Sequence, residues 1–91
     1  MVGLDNFNDY YDPVLKRHRT EALSVLDAFQ LVEGDIRHRE TLDALFAAHD
    51  FDAVVNLAAM AGVRYSIERP LLYTDVNATG FLNLLEAMRH H

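Results

Sequence analysis

Asp52-Ala53-Val54-Val55-Asn56-Leu57-Ala58-Ala59 decides the fold class. It is nearly all apolar and β-branched at its centre, the composition of a parallel strand covered on both faces. Phe29-Gln30-Leu31-Val32-Glu33, ended by Gly34-Asp35, reads as a second buried strand, and Met1-Val2-Gly3-Leu4 as the last part of a third. Helical patterns lie between them. Asp12-Pro13 is an N-cap followed by proline at the first helical position, with Leu15, Ala22 and Leu26 then on one face. Residues 40–49 carry Leu42, Leu45, Phe46 and His49 at helical spacing. From Pro70 the chain reads as one long helix with Phe81, Leu84, Leu85 and Met88 on one side. Gly80 inside it costs about 1 kcal/mol relative to Ala, which signals a close approach by another group. Strands alternating with helices predict an α/β domain over residues 1–91, with a three-strand parallel sheet and right-handed crossovers.

Composition narrows the function. A chain of 91 residues with 51% hydrophobic residues makes one small domain. At this length about 60–65% of the unfolded surface is buried, so its core is thin. A net charge of −6 disfavours a nucleic-acid or anionic-membrane surface, either of which needs a basic patch. Cysteine is absent, which is compatible with a reducing cytoplasm and excludes thiolate chemistry. No apolar run reaches membrane length, and the opening residues lack the pattern of a signal peptide. The five histidines show no ligand spacing, so no metal is expected. Lys16 is the sole lysine and Tyr10-Tyr11 does not stand at Y-x-x-x-K spacing to it, so the chain holds no such pair.

In open parallel sheets, ligands sit beyond the carboxyl ends of the strands. Asp5-Asn6, Gly34-Asp35-Ile36 and Ala58-Ala59-Met60-Ala61-Gly62 occupy those ends. A carboxylate at Asp5 can accept both ribose hydroxyls of an adenosine and would repel a 2′-phosphate, favouring NAD over NADP. Taken alone, an Asp before Asn reads first as a turn former. Asp35 can accept from an adenine amino group while Ile36 packs on the ring, or can simply order the next helix. Ala58, Ala59 and Gly62 leave room for a dinucleotide against the backbone, or for tight packing. Asn77 stands in a helix, where Asn is a poor former; it either bonds a carbonyl or the strands, or is exposed.

Four collinear segments then carry a family resemblance: Gly3-Leu4-Asp5-Asn6-Phe7-Asn8-Asp9-Tyr10-Tyr11-Asp12-Pro13, Glu33-Gly34-Asp35-Ile36-Arg37, Asn56-Leu57-Ala58-Ala59-Met60-Ala61-Gly62-Val63-Arg64-Tyr65-Ser66-Ile67-Glu68-Arg69-Pro70 and Asp75-Val76-Asn77-Ala78-Thr79-Gly80-Phe81-Leu82-Asn83. Together they resemble the NAD-dependent epimerase/dehydratase family, the extended short-chain dehydrogenases, and within it the UDP-glucuronate 4-epimerase branch. The resemblance implies a partial Rossmann fold and inversion at C4 of a nucleotide-linked uronic acid by transient hydride transfer to bound NAD. It implies that Asp5 and Asn6 hold the adenosine ribose and that Asp35 and Ile36 hold the adenine. It further implies that Leu57, Ala58 and Ala59 line the middle of the cofactor and that Asn77 braces the active-site wall. The loop bearing Arg64 and Ser66 would lie near the sugar, where a guanidinium can pair with a uronate carboxylate, or else serve a structural salt bridge.

Departures from the family pattern qualify this. The 91 residues hold no G-x-x-G-x-x-G pyrophosphate turn and no Y-x-x-x-K pair. The resemblance therefore implies an internal piece lacking the first strand, with no catalytic residue and no activity of its own, from a cytoplasmic, homodimeric parent. With the first strand missing from the order 3-2-1-4, the gap is expected to close by pairing residues 1–4 with 52–57. His38 stands where an N-capping Asp is usual, Arg69 where Asn is usual, and Asn56 where His is frequent. Two other readings remain open: another nucleotide-sugar 4-epimerase or dehydratase, and a non-catalytic α/β module acting through a protein partner.

Overall fold

A computed structural model describes residues 1–9 and 12–91; Tyr10 and Tyr11, part of the first of the four family-like segments, lie outside the described residues. The chain forms two compact units, Met1–Asp35 and Ile36–His91.

The first unit is β1 (Val2–Asp5), α1 (Pro13–Ser24) and β2 (Gln30–Glu33). The strands are parallel, pairing Val2 with Gln30, Gly3 with Leu31, Leu4 with Val32 and Asp5 with Glu33. Gln30 N donates to Met1 O at 2.9 Å and Gly34 N to Asp5 O at 3.0 Å, extending the ladder at both ends. Gly3 stands in a tight place: a Cβ there would lie 3.0 Å from the outer edge of the Phe29 ring, which would have to shift. The expected cap is present. Asp12 Oδ1 accepts from Val14 N at 2.9 Å, and Pro13 opens α1. The expected apolar face of α1 is not buried; Leu15, Ala22 and Leu26 are all exposed.

The second unit is helical. It comprises α2 (Arg39–Ala48), α3 (Val63–Glu68), α4 (Pro70–Thr74), a π-helical turn (Asp75–Gly80) and α5 (Phe81–His90). Leu42, Leu84 and Ala87 are buried where α2 packs on α5, and Ile36, Met60 and Val76 complete the core. The buried stripe of the last helix is thus Val76, Gly80, Leu84 and Ala87, spaced at four, four and three. Phe81, Leu85 and Met88, expected on the core face, are exposed; Leu84 alone of the expected set is buried. Arg39 Nη2 lies 3.9 Å from Glu86 Oε2, tying the two helices at the surface. The adjoining Arg89 guanidinium, bonded to Glu86 at 3.1 and 2.8 Å, holds that carboxyl below its ordinary range.

Two expectations about the sheet are corrected. Among the described residues the sheet has two strands, β1 and β2, not three, and residues 52–57 form no part of it. Residues 52–59 are irregular. A strand exists through its hydrogen-bonded neighbour. Here Asn56 instead turns on its own backbone, its Oδ1 accepting from Ala58 N at 3.0 Å, the local bond by which Asn competes with a ladder. Val55 and Leu57, the apolar signal that pointed to a buried strand, are 81% and 87% exposed. The loop expected at Gly62–Ser66 is corrected too: Val63 opens a short helix, with Gly62 before it in the left-handed region at φ 107°.

His38 stands at the N-cap of α2 in extended conformation, with no side-chain capping bond. An aspartate there can accept from the free amides of the first turn and meets the positive end of the helix. His38→Asp is expected to stabilise the protein by about 0.5–2 kcal/mol, read as a raised denaturant midpoint at unchanged slope. An unchanged midpoint would contradict it.

Candidate functional site

In the first unit, both strands end on acids. Asp5 closes β1, and its Oδ1 accepts from Phe7 N at 2.7 Å. Asn6 Oδ1 accepts from Asn8 N at 3.1 Å, giving two consecutive side-chain-to-backbone turns. Asn6 Nδ2 donates to Asp35 Oδ2 at 2.9 Å. Asp35 is only 8% exposed, and this bond offsets part of the cost of burying its charge. The structure therefore brings Asp5, Asn6 and Asp35 into one cluster at the carboxyl ends of β1 and β2. The turn-forming role of Asp5 is real, but it occupies one carboxylate oxygen. Among the described residues Oδ2 makes no hydrogen bond, so the group keeps an acceptor for a ligand hydroxyl.

Three residues that the sequence did not single out hold this loop in place. Lys16 Nζ donates to Asn8 Oδ1 at 2.8 Å and lies 4.0 Å from Asp5 Oδ1. Arg17 pairs with Glu33 at 3.1 Å and sets its guanidinium 4.4 Å from the Phe7 ring centroid. Phe7 is 7% exposed and has φ 51°, a left-handed conformation that strains a bulky residue by about 1–3 kcal/mol. Its ring contact and the Asp5 bond over-determine it. Strain of this kind clusters at ligand-binding segments. No sequence pattern announces a positive φ at a phenylalanine.

In the second unit, Asn77 makes a reciprocal pair with one residue. Its Oδ1 accepts from Met60 N at 2.8 Å and its Nδ2 donates to Met60 O at 2.9 Å. The expected backbone bond is therefore present, on a residue that is itself exposed. Ile36 is 7% exposed and packs against Gly80, where a Cβ would lie 2.7 Å from Ile36 Cδ1 and Cγ1. The close approach expected at Gly80 is found. Leu57, Ala58 and Ala59 are exposed, leaving backbone there open to a ligand. Arg64 is exposed on α3 and makes no ion pair among the described residues, so the salt-bridge alternative has no partner in this unit. Ser66 is half-buried, and its Oγ donates to Val63 O within the same turn. Tyr73, another residue the sequence did not mark, places its hydroxyl 2.6 Å from Ala61 O and 2.8 Å from Gly62 O. No group of three or more potential metal ligands occurs among the described residues.

A family model described as GDP-mannose 4,6 dehydratase matches residues 2–91. UDP-glucuronate 4-epimerase 4 of Arabidopsis thaliana is 54% identical over 86 residues, covering 94% of this chain and 20% of that protein. UDP-glucuronate 4-epimerase of Thermodesulfobacterium geofontis is 44% identical over 89 residues, 98% of this chain and 28% of that protein. Among solved structures, a UDP-glucose 4-epimerase superposes with TM-score 0.74 at 29% identity, covering 98% of this chain and 24% of the other. A UDP-glucose-4-epimerase from Stenotrophomonas maltophila, with bound NAD and formylated UDP-arabinopyranose, gives TM-score 0.73 at 35% identity, covering 97% and 25%. These likenesses establish a Rossmann-like α/β fold. The chain spans only 20–28% of the length of the two curated relatives.

Replacing Asn77 by Ala removes its two hydrogen bonds to the Met60 backbone. The expected cost is about 1–3 kcal/mol, accompanied by faster amide exchange at Met60. Native-state hydrogen exchange checks it, and unchanged protection of the Met60 amide would contradict the assignment.

Proposed function

The chain belongs to the family described as GDP-mannose 4,6 dehydratase, and on that premise we propose that it is part of the NAD-binding region of a nucleotide-sugar 4-epimerase acting on UDP-glucuronate. The carrying observation is the cluster of Asp5, Asn6 and Asp35 at the carboxyl ends of β1 and β2, where a parallel sheet takes its ligand. The donor set fits an adenosine. Asp5 retains an acceptor oxygen for the ribose hydroxyls, and its negative charge disfavours a 2′-phosphate. Asn6 keeps Asp35 in place, and Asp35 accepts a hydrogen bond from the adenine amino group while Ile36 packs on the ring. The exposed backbone at Leu57, Ala58 and Ala59 lies along the middle of the dinucleotide, and Asn77 fixes the Met60 peptide that follows it.

When bound, NAD supplies the acceptor and then the donor of the C4 hydride. The residues of this chain bind and orient; none of them is assigned a proton-transfer step. Arg64, exposed and without an ion pair in its unit, suits a bidentate contact to the uronate carboxylate, with Ser66 beside it on α3. No helix among the described residues is long and apolar enough to cross a membrane. We place the reaction of the protein that carries this chain in the cytoplasm, a compartment compatible with 91 residues free of cysteine, and in a homodimer. A second reading, a 4-epimerase of a neutral sugar, is favoured by the UDP-glucose 4-epimerase structures. Arg64→Gln separates the two: it should raise KM for the uronate selectively if the first holds, and for neither substrate if the second does.

Asp5→Asn preserves the turn acceptor while removing the charge. In the protein that carries this chain it is expected to weaken NAD binding by about tenfold or more and to relax discrimination against NADP. Titration with both dinucleotides measures this. Unchanged affinities would make Asp5 a turn residue only.

A further inference from the structure

We propose that Lys16 is a specificity-determining residue of the dinucleotide site: its ammonium, held beside the Asp5 carboxylate, tempers the exclusion of a 2′-phosphate that the carboxylate imposes. The proposal rests on the cofactor reading above and deepens it, naming the second charge that sets the choice between NAD and NADP.

Every group involved lies in the Met1–Asp35 unit. Lys16 Nζ stands 4.0 Å from Asp5 Oδ1, too far for a hydrogen bond and close enough for an ion pair. What holds the ammonium there is Asn8, whose Oδ1 accepts at 2.8 Å and whose carbonyl accepts at 3.5 Å. Asn8 is itself fixed, its N–H donating to Asn6 Oδ1 at 3.1 Å. The Lys16 side chain is 22% exposed and that of Asp5 44%, so the lysine stem is largely covered while the carboxylate opens to solvent. Oδ1 is the oxygen that meets the Phe7 amide and Lys16, which leaves Oδ2 for a ribose hydroxyl. An ammonium has three donors, and both bonds that Lys16 makes go to one residue. Arg17, the neighbouring cation, is committed elsewhere. Its guanidinium pairs with Glu33 at 3.1 Å and lies 4.4 Å from the Phe7 ring centroid.

The consequence follows from the charges. A 2′-phosphate on a ribose held by Asp5 brings about two negative charges up to a third. Lys16, 4.0 Å from that carboxylate, is well inside the roughly 10 Å over which charges act on one another at 0.1 M salt, and it opposes the repulsion. A ribose hydroxyl carries no charge, so Lys16 acts far less on NAD. The pair therefore leaves NADP disfavoured but not barred, and losing one member or the other moves the choice in opposite directions. Without Asp5, the ammonium remains to receive the phosphate. Without Lys16, the carboxylate repels it unopposed.

The test titrates the protein that carries this chain with NAD and with NADP. Lys16→Met keeps the stem and removes the charge; it should weaken NADP binding by about fivefold to tenfold and NAD binding by about twofold or less. Lys16→Arg restores the charge and should hold the preference within about twofold of the wild type. Asp5→Asn should shift the preference toward NADP, and adding Lys16→Met to it should cancel most of the NADP affinity gained, a comparison that stays measurable where the wild type binds NADP weakly. Arg17→Met loosens the same loop through Phe7 but removes no ion pair to Asp5, so it should weaken both dinucleotides alike. If Lys16→Met changes both affinities alike or not at all, or if Arg17→Met moves the preference as far as Lys16→Met does, Lys16 is a loop anchor and this proposal alone is overturned. If Asp5→Asn leaves both affinities unchanged, the cofactor reading falls and the proposal with it.

Discussion

Backbone polar groups must be paired, and in the Ile36–His91 unit the pairing is done by side chains of one helical rod. Among the described residues, 52–62 belong to no sheet, so a ladder does not supply partners for their N–H and C=O groups. Asn77 takes both groups of Met60, and the Tyr73 hydroxyl meets the carbonyls of Ala61 and Gly62. Six residues further along, Asn83 binds two more carbonyls, at Ile36 and Arg37. The run from Pro70 to His90 thus serves as the frame against which both irregular segments are set. Gly80, at the end of its π turn, lets the same rod approach Ile36 closely.

The Met1–Asp35 unit solves the same problem differently. Its two strands pair with each other, and the loop after β1 is fixed by carboxylate and amide side chains bonding their own backbone. Lys16 and Arg17, on the first turn of α1 and the one after, clamp that loop from the helix that follows it. The outcome is a strained but fixed Phe7 and an Asp5 carboxylate with one oxygen committed and one available. Pre-organisation of this kind suits a loop that must receive a small polar ligand without first paying for its ordering.

What can be read from the sequence follows from how local each signal is. The Asp12-Pro13 cap is legible because capping depends on one side chain and the next three amides. The missing cap at His38 and the close approach at Gly80 are legible for the same reason. The acids Asp5 and Asp35 are legible as strand-end residues, and the structure joins them through Asn6. The third strand is not, because an apolar, β-branched run marks a segment able to pair, while pairing itself is decided by a neighbour far off in sequence. The core face of α5 misleads because Phe81, Leu85 and Met88 carry as strong an apolar signal as Leu84, whereas the positions that are buried are Leu84 and Ala87. The π turn, the anchoring by Lys16 and the Tyr73 contacts leave no periodic trace.

Every functional reading of this chain depends on one event: the segments after β1 and β2 receive the adenosine of NAD. Hydrogen–deuterium exchange on the protein that carries this chain, with and without saturating NAD, tests it directly. Adenosine binding there requires slower exchange at residues 5–8 and 35–37, and at Met60 to Gly62, when NAD is present. Exchange at those residues that is the same with and without bound NAD would contradict it.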